Sequence, residues 1–221
     1  MSELRSRFKD AIWFPKEETE LIIGGAGGIG SWLSISLARA GFLPIVFDFD
    51  RIEAHNIGGQ AYSKQDIGDL KVDALKKRVM ELCNIDLFTF NSAYDENSMA
   101  SAYMFSAFDN MKARKDMFNN WKKENSENPD AIFIDGRLTM EQLQIYCVTP
   151  DKIEEYEKTL FDDSEVEEDP CTLKQTSHGA LMIASLMTAF FTNHLTNVVE
   201  KAPVRDVPFF YEYFIPLNLV S

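Results

Sequence analysis

In the first part of the chain, short continuous runs of hydrophobic residues alternate with segments in which hydrophobic residues recur every three or four positions. Residues 21–23 are a short apolar run that predicts a strand. Beyond a glycine-rich stretch, apolar residues recur at helical spacing up to Gly41, a residue type that commonly ends helices. Residues 42–50 and 85–90 predict two further strands, with a helix over 70–83 between them. The apolar face of that helix consists of Val72, Leu75, Val79 and Leu82.

The second part of the chain continues this alternation and then changes style after Gly136. AYMFSAFDN predicts a strand that ends in a polar pair, MKARKDMFNNWKKE a helix, and AIFIDG a buried strand. LQIYCVT and PFFYEYFIPLNL predict antiparallel strands, and residues 179–195 a long apolar helix between them. We therefore expect an α/β fold with a Rossmann-like, doubly wound, mostly parallel sheet and a short antiparallel C-terminal extension.

Length and composition suit one folded domain. Hydrophobic residues make up 45% of the 221 residues and charged residues 26%, so disorder is not expected. We expect a single domain over 1–221, in which 1–20 form an N-terminal arm. The most acidic stretch lies within 151–175, and its composition over 151–170 predicts a solvated, mobile loop.

Charge and residue usage exclude several classes of protein. The chain has 22 Lys and Arg against 35 Asp and Glu, and this net charge of -13 opposes binding to a nucleic-acid backbone. The longest apolar run, 179–191, is too short to cross a bilayer, and the first residues lack the apolar core of a signal peptide. Three widely spaced cysteines form no CxxC pair, so no structural zinc is expected. We expect a cytoplasmic protein that binds neither membrane nor nucleic acid.

A glycine-rich motif between the first strand and the first helix indicates a nucleotide site. GAGGIG matches the pattern G-x-G-x-x-G, in which glycines allow a tight turn and a close approach of backbone N–H groups to phosphate. The helix that follows directs the positive end of its dipole at that phosphate. Asp48 ends the next strand, where a carboxylate commonly binds ribose hydroxyls.

Up to this point an NAD-dependent dehydrogenase would explain the pattern, but the polar residues that follow favour ATP. The second acid, Asp50, is followed by Asn56 and Gln60, and Lys71 lies at the start of a predicted helix. A triphosphate needs charge neutralisation by lysine and by a metal held on a carboxylate, whereas hydride transfer does not. Asp109, at the carboxyl end of a predicted strand, lies where such a metal could bind.

Several linked motifs resemble the ThiF/MoeB-like adenylyltransferases, a family that includes the catalytic domains of ubiquitin-activating enzymes. The matching pieces are GAGGIGSW, FDFDRIEAHNIGGQ, KVDALK and AFDNMKAR, in the family's order, and GRLTMEQLQIYCVTP is similar to its next strand pair. The resemblance covers roughly residues 20–200 and implies ATP- and magnesium-dependent adenylation of a C-terminal carboxylate. The substrate it implies is a ubiquitin-like protein, a sulfur-carrier protein or a peptide with a free C-terminus.

The resemblance also assigns roles to residues. The four glycines surround the phosphates, Asp48 binds the ribose, two amides border the triphosphate, a lysine pairs with phosphate, and a carboxylate binds magnesium. In this sequence the glycines are Gly25, Gly27, Gly28 and Gly30, the amides Asn56 and Gln60, the lysine Lys71 and the carboxylate Asp109.

The sequence departs from the family pattern at one position that matters for catalysis. The family usually has an arginine before the glutamine of the N-L-x-R-Q pattern, and here Gly59 occupies that position. Arg51 or Lys64 could replace the missing contact, and the alternative is an ATP-binding scaffold with weak or no catalysis. The family also uses an arginine from the partner subunit's N-terminal helix, for which Arg5 and Arg7 are candidates, with exposed surface arginines as the alternative.

Cys171 lies after the acidic stretch and before a helix, as the thioester-forming cysteine does in some family members. The helix N-terminus favours its thiolate, whereas the acids at 167–169 oppose it, and an inert buried cysteine is the alternative. His178 is a candidate base for Cys171 or simply a residue at a helix start. Cys83 and Cys147 are expected in the core, and the two-sided apolar helix over 179–195 suits the interface of a homodimer.

Overall fold

The computed structural model describes residues 6–15, 19–139, 141–161 and 176–220, which form one eight-stranded sheet with helices on both faces. The strands are β1 (Glu20–Gly24), β2 (Leu43–Phe47), β3 (Phe88–Phe90), β4 (Tyr103–Ser106), β5 (Ile132–Thr139), β6 (Gln142–Val148), β7 (Phe210–Phe214) and β8 (Leu219–Val220). The α-helices are α1 (Gly28–Ala40), α2 (Lys71–Cys83), α3 (Met111–Asn125), α4 (Ile153–Glu157) and α5 (Ser177–Glu200). Short 3-10 helices span Ala54–Gly58, Lys64–Asp66, Pro150–Lys152 and Ile215–Leu217.

The order of strands across the sheet is β3-β2-β1-β4-β5-β6-β7-β8. The first five of these are parallel, and β5 to β8 pair in antiparallel fashion, which confirms the predicted fold class. From β1 the chain winds first to β2 and β3 on one side and then to β4 and β5 on the other. A crevice therefore opens between the carboxyl ends of β1 and β4, where open α/β sheets bind their ligands.

Alternate residues of the strands face two separate apolar layers. One layer lies under α1, α2 and α5, where Leu21, Ile23 and Phe191 are completely buried. The other lies under α3 and α4 and includes Ile22 and Trp121. This alternation is expected of strands that are covered on both faces, and it explains why the central strands read as continuous apolar runs.

The ends of α1 and α2 agree with the sequence prediction, whereas α5 extends beyond the predicted 179–195 at both ends. Gly41 ends α1 with φ 108° and Asn84 ends α2 with φ 52°, both in the left-handed region that glycine and asparagine tolerate best. Val79 is buried as predicted, but Leu82 is 45% exposed, so its assignment to the core face is wrong. Cys83, four residues beyond Val79, is buried in its place because it continues the i, i+4 row of the helix.

The prediction of a solvated loop from residue 151 onward is wrong for its first part. Pro150–Lys152 and α4 are helical, and Ile153 and Tyr156 of α4 are buried. These two side chains are three positions apart, so they share one face of the helix and pack together on the second apolar layer. Residues 162–175 lie outside the described residues.

The described part of the predicted N-terminal arm packs at the amino end of the sheet. The rings of Phe8, Trp13 and Phe14 form an aromatic cluster. The ring centroid of Trp13 lies 6.4 Å from that of Phe42, which directly precedes β2. Among the described residues, no helix is long and apolar enough to span a membrane.

Candidate functional site

The glycine motif forms the turn between β1 and α1, at the crevice between β1 and β4. Gly25 has a backbone φ of 91°, a conformation that residues with a side chain rarely adopt. At Gly30 a Cβ atom would lie 1.8 Å from the carbonyl oxygen of Gly25, so only glycine allows this contact between helix and turn. Gly27 differs, because a Cβ atom there would meet no atom within 4 Å. Two of the motif's glycines thus serve the turn itself, and Gly27 faces open space.

The N-terminus of α1 is suited to an anion. The helix begins at Gly28, and its N-cap residue is Gly27. Because glycine has no side chain, no side-chain group of the N-cap residue bonds to the N–H groups of the first turn. The first N–H groups of a helix lack partners within it, and they carry the positive end of the helix dipole. The open space beside Gly27 therefore adjoins N–H groups that can bind phosphate.

The carboxylate of Asp48 holds this loop from the end of β2. Oδ2 accepts the Ala26 N–H (2.7 Å), and Oδ1 accepts the N–H of Asp50 (2.8 Å). Burial raises the pKa of Asp48, an effect that the nearby charge of Lys71 and the two N–H groups oppose. Each carboxylate oxygen has a further lone pair, so the group is able to accept ribose hydroxyls as the sequence predicts.

Lys71 begins α2 and points its ammonium group at Asp50. Its Nζ lies 2.7 Å from Asp50 Oδ2, and its backbone N–H donates to the carbonyl of the same residue. The lysine side chain is 9% exposed, whereas the aspartate side chain is 51% exposed. An ammonium group has three donors, so this pair orients the lysine and leaves donors for phosphate.

Three hydrogen bonds attach the segment at 59–62 to the glycine loop and α1. Trp32 Nε1 donates to the carbonyl of Gly59 (3.0 Å), and the Ala61 N–H donates to Ser31 Oγ (3.1 Å). The hydroxyl of Tyr62 donates to the carbonyl of Ala26 (2.6 Å), and its burial raises its pKa well above the usual value. The sequence analysis missed these anchoring residues, and the only signal was the position of the tyrosine just beyond the motif.

Gln60 and Asn56 have different environments. Gln60 Oε1 is buried without a hydrogen-bond partner among the described residues, and such an atom is costly unless a ligand or water satisfies it. Asn56 Oδ1 accepts the N–H of Glu53 (2.8 Å), which completes a capping box in the short helix Ala54–Gly58. Asn56 is therefore partly committed to its own turn, and Gln60 is the amide with unsatisfied capacity.

Arg51 and Lys64, the two candidates to replace the missing arginine, have other surroundings. Arg51 Nη1 donates to the carbonyl of Gly68 (2.8 Å), and Lys64 lines a shallow surface pocket together with Asp66 and neighbours on α2. Gly59 is buried beneath the Trp32 contact. The missing family arginine thus has no evident replacement among these two side chains.

Asp109 follows β4 at the opposite wall of the crevice. It is exposed, and the loop that carries it meets the glycine motif where the Ala107 N–H donates to the carbonyl of Gly24 (2.9 Å). Within the described ranges, no group of three or more His, Cys, Asp or Glu side chains could hold a metal. Magnesium is usually held by one or two carboxylates together with substrate phosphates and water, so a single aspartate beside a phosphate site fits this ion.

The remaining candidates that the structure describes, Arg7 and His178, have other contacts and surroundings. Arg7 is exposed on the N-terminal arm, beside the aromatic cluster at the other end of the sheet, and Arg5 and Cys171 lie outside the described residues. His178 is exposed and contacts Thr176 Oγ1 at 3.2 Å. Burial raises the pKa of the Cys147 thiol, and this cysteine is in the core as predicted, as is Cys83.

Comparison with solved structures finds the same fold in PaaA and in MccB. PaaA has a TM-score of 0.74 and E. coli MccB with ATP one of 0.73; each is 16% identical in sequence and is matched by 100% of this chain. The match covers 73% of the PaaA chain and 71% of the MccB chain. A complex of the microcin C7 biosynthetic enzyme MccB with N-formylated MccA is 15% identical, with a TM-score of 0.66, 99% of this chain covered and 65% of that chain.

Sequence comparison adds a curated relative and a family. The tRNA threonylcarbamoyladenosine dehydratase 2 of Saccharomyces cerevisiae is 32% identical over 95 residues, which cover 38% of this chain. That match spans 21% of the yeast protein, about a fifth of its length. The profile of the ThiF family matches residues 16–214, which include every described element of the crevice. The chain belongs to the ThiF family.

Proposed function

We propose that this chain is an ATP-dependent adenylyltransferase that activates the C-terminal carboxylate of a protein or peptide. The observation that supports this most strongly is the convergence of three features on one crevice. The uncapped N-terminus of α1 provides N–H groups, Lys71 provides an ammonium group, and Asp109 provides a carboxylate for metal. A triphosphate with its metal needs all three kinds of group, whereas a dinucleotide needs only the first.

In the proposed reaction an oxygen of the substrate carboxylate forms a bond to the α-phosphorus of ATP. The bond from that phosphorus to the oxygen bridging to the β-phosphate breaks, and pyrophosphate leaves with the electron pair. Negative charge shifts toward the departing oxygens, where Lys71 and the N-terminus of α1 stabilise it. Asp48 fixes the nucleotide by its ribose, which holds the α-phosphorus in place for attack.

The chain's own residues explain how these groups stay in place. Asp50 pairs with the mostly buried Lys71 and so restricts its ammonium to one orientation. Tyr62 and Asp48 fasten the two backbone groups of Ala26. Asp109 would hold a magnesium ion, and that ion would neutralise part of the phosphate charge. Gln60, whose Oε1 lacks a partner, is placed at the same wall as the glycine loop and is available to a nucleotide or its bound water.

The proposed substrates are a ubiquitin-like protein, a sulfur-carrier protein or a short peptide with a free C-terminus. MccB, which shares the fold, has been crystallised with MccA and with N-formylated MccA. The yeast relative is named for a modified tRNA nucleoside, but the net charge of -13 here disfavours a nucleic-acid substrate. Protein or peptide carboxylates are therefore the substrates to test first.

A thioester step on Cys171 forms a second part of the proposal. The cysteine sulfur would attack the carbonyl carbon of the acyl adenylate, the bond from that carbon to the phosphate oxygen would break, and AMP would leave. Cys171 lies ahead of α5 in sequence, where a helix N-terminus would favour a thiolate and the acids at 167–169 would oppose it. Mass spectrometry of a reaction quenched without reducing agent would detect the thioester, and Cys171→Ser is the control.

We also propose that the whole chain is one adenylation domain that works as a homodimer. One side of α5 packs on α1 and β5, while Leu181 and Met182 on the same helix are each about two-fifths exposed. A partner subunit on this surface would bury them, and Arg5 or Arg7 of the partner would then act on the phosphates. Sedimentation velocity would test this state, and Leu181→Asp should shift a dimer toward monomer.

Two alternatives remain as outcomes of a test. An NAD-dependent oxidoreductase uses the same glycine loop, and an ATP-binding scaffold would result if Gly59 removes an essential contact. Exchange of labelled pyrophosphate into ATP, measured with candidate protein, peptide and tRNA substrates, distinguishes them. An adenylyltransferase exchanges label in the presence of its carboxylate substrate, and Asp109→Asn suppresses the exchange. A scaffold binds ATP without exchange, and an oxidoreductase does neither.

A further inference from the structure

A buried charge cluster lies behind the loop that carries Asp109. Asp135, near the middle of β5, is fully buried, and its carboxylate is flanked by Arg114 of α3, Arg137 of β5 and Tyr156 of α4. Arg114 Nε lies 3.2 Å from Oδ1, Arg137 Nε 2.8 Å from Oδ2, and the tyrosine hydroxyl 2.9 Å from Oδ2. None of these groups enters the proposed reaction directly.

Arg114 connects this cluster to the crevice. Its Nη2 donates to the carbonyl of Phe108, the residue directly before Asp109. The ring of Phe108 packs so closely on Gly24 that a Cβ atom there would lie 2.3 Å from it. Phe108 is therefore fixed at its carbonyl by Arg114 and at its ring by the end of β1. The peptide link that follows sets where the Asp109 backbone begins.

We propose that Arg114 is a positioning residue for the metal-binding loop, with Asp135 as its buried anchor. This inference rests on the proposed role of Asp109. A guanidinium group suits the task because its planar fork reaches two acceptors at once. Here Nη2 donates a hydrogen bond to the Phe108 carbonyl, whereas Nε forms an ion pair with Asp135 Oδ1 at 3.2 Å that lacks hydrogen-bond geometry. Its charge is balanced by Asp135, so the arginine can remain 6% exposed without a ligand.

The cluster provides its own matched control. Arg137 pairs with the same carboxylate and donates to Thr159, at the carbonyl (3.2 Å) and at Oγ1 (3.1 Å). Within the described part of the chain, no hydrogen bond joins it to Phe108, whose carbonyl accepts from Arg114. Arg114→Met and Arg137→Met each remove one guanidinium from Asp135. In each variant the other guanidinium still balances the charge of the carboxylate, and the Tyr156 hydroxyl still donates a hydrogen bond to it. Only the first removes the hydrogen bond to the loop. Arg114→Lys restores the charge without the fork.

The first readout is hydrogen exchange in the peptide that spans residues 105–111, measured on the full chain without ligand. The Ala107 N–H is protected by its bond to the carbonyl of Gly24, so it reports on the anchoring of the loop. Faster exchange is expected here in Arg114→Met and in Arg114→Lys. Exchange in Arg137→Met should match wild type in this peptide and rise instead around Thr159.

The second readout is the magnesium concentration at half-saturation of ATP binding. Substitution of groups that orient a metal ligand usually weakens metal affinity by roughly 10–100-fold, so we expect a rise of about tenfold in Arg114→Met and little change in Arg137→Met. Equal exchange at residues 105–111 in the two methionine variants, or equal magnesium dependence, would overturn the inference. If wild type binds no ATP, the proposed function fails, and exchange in this peptide still decides whether Arg114 holds the loop.

Discussion

The glycine loop allows a prediction in which two similar substitutions affect different properties, one the stability of the fold and the other the binding of ATP. Gly30→Ala places a methyl group 1.8 Å from the carbonyl oxygen and 2.8 Å from the carbonyl carbon of Gly25, whereas Gly27→Ala places one in open space. The first clash is with backbone, so it cannot be relieved by rotation of a side chain. Gly30 is thus predicted to matter for folding and Gly27 for binding.

The expected stability change follows from two opposing effects. Overpacking costs typically 1–3 kcal/mol and occasionally more, and here the backbone of the turn itself must move. Alanine recovers about 1 kcal/mol at most through its higher helix propensity. We therefore expect Gly30→Ala to lose about 2 kcal/mol, which at a slope of about 2 kcal/mol per molar urea lowers the midpoint by about 1 M.

Gly27→Ala is expected to stay within about 1 kcal/mol of wild type, because the weaker cap is offset by the reduced freedom of the unfolded chain. Its methyl group occupies the space in front of the α1 N-terminus, so the affinity for ATP should fall by about tenfold or more, equivalent to about 1.4 kcal/mol. Urea denaturation and calorimetric titration measure the two effects. Equal urea midpoints for the two variants, or ATP affinity in Gly27→Ala equal to wild type, would refute the reasoning.

Three further predictions test single groups. Because burial raises the pKa of Asp48, ATP affinity should weaken with falling pH earlier than for an ordinary aspartate of pKa 3.8, and Asp48→Asn should bind weakly with that pH dependence absent. Tyr62→Phe leaves the carbonyl of Ala26 without its buried donor, so the free energy of unfolding in urea should fall by about 1–2 kcal/mol, and an unchanged value would contradict this anchor. His194 Nε2 lies 2.8 Å from the carbonyl oxygen of Asp130, and burial lowers the pKa of this histidine. The free energy of unfolding should therefore be highest above pH 6.5, and it should decrease as the pH falls from there toward the folded-state pKa, because the unfolded chain binds the proton first. His194→Gln should show a smaller loss of stability between pH 7 and pH 5.

Local patterns were enough to predict the fold class and the glycine loop. The strands around the crevice are continuous apolar runs, and the residues at their carboxyl ends, Asp48 and Asp109, lie where such runs stop. Gly25 and Gly30 could be assigned because a tight turn beside a helix excludes side chains. These features depend on neighbours within a few positions, which the sequence states directly.

Contacts between distant segments could not be predicted in the same way. Trp32 and Gly59 are 27 positions apart, and Tyr62 and Ala26 are 36 apart, so no periodicity links them. The acidic composition after residue 150 predicted an exposed loop and gave no sign that Tyr156 is buried. Tyr156 is buried because its hydroxyl donates to the buried Asp135 carboxylate, a contact that composition does not reveal. Tertiary hydrogen bonds of this kind emerge only when the fold is known.

The central claim is that the crevice holds ATP with a metal at Asp109, and calorimetric titration tests it most directly. ATP would be titrated into wild type, Asp109→Asn and the control Asp116→Asn, with and without magnesium, and NAD would be titrated as the rival ligand. Asp116 lies on α3, and its side chain is 22% exposed and paired with Lys112. The account predicts that ATP binds more tightly with magnesium, that Asp109→Asn alone loses this gain, and that NAD gives no heat of binding. Saturable binding of NAD without binding of ATP, or a magnesium effect that persists in Asp109→Asn, would contradict it.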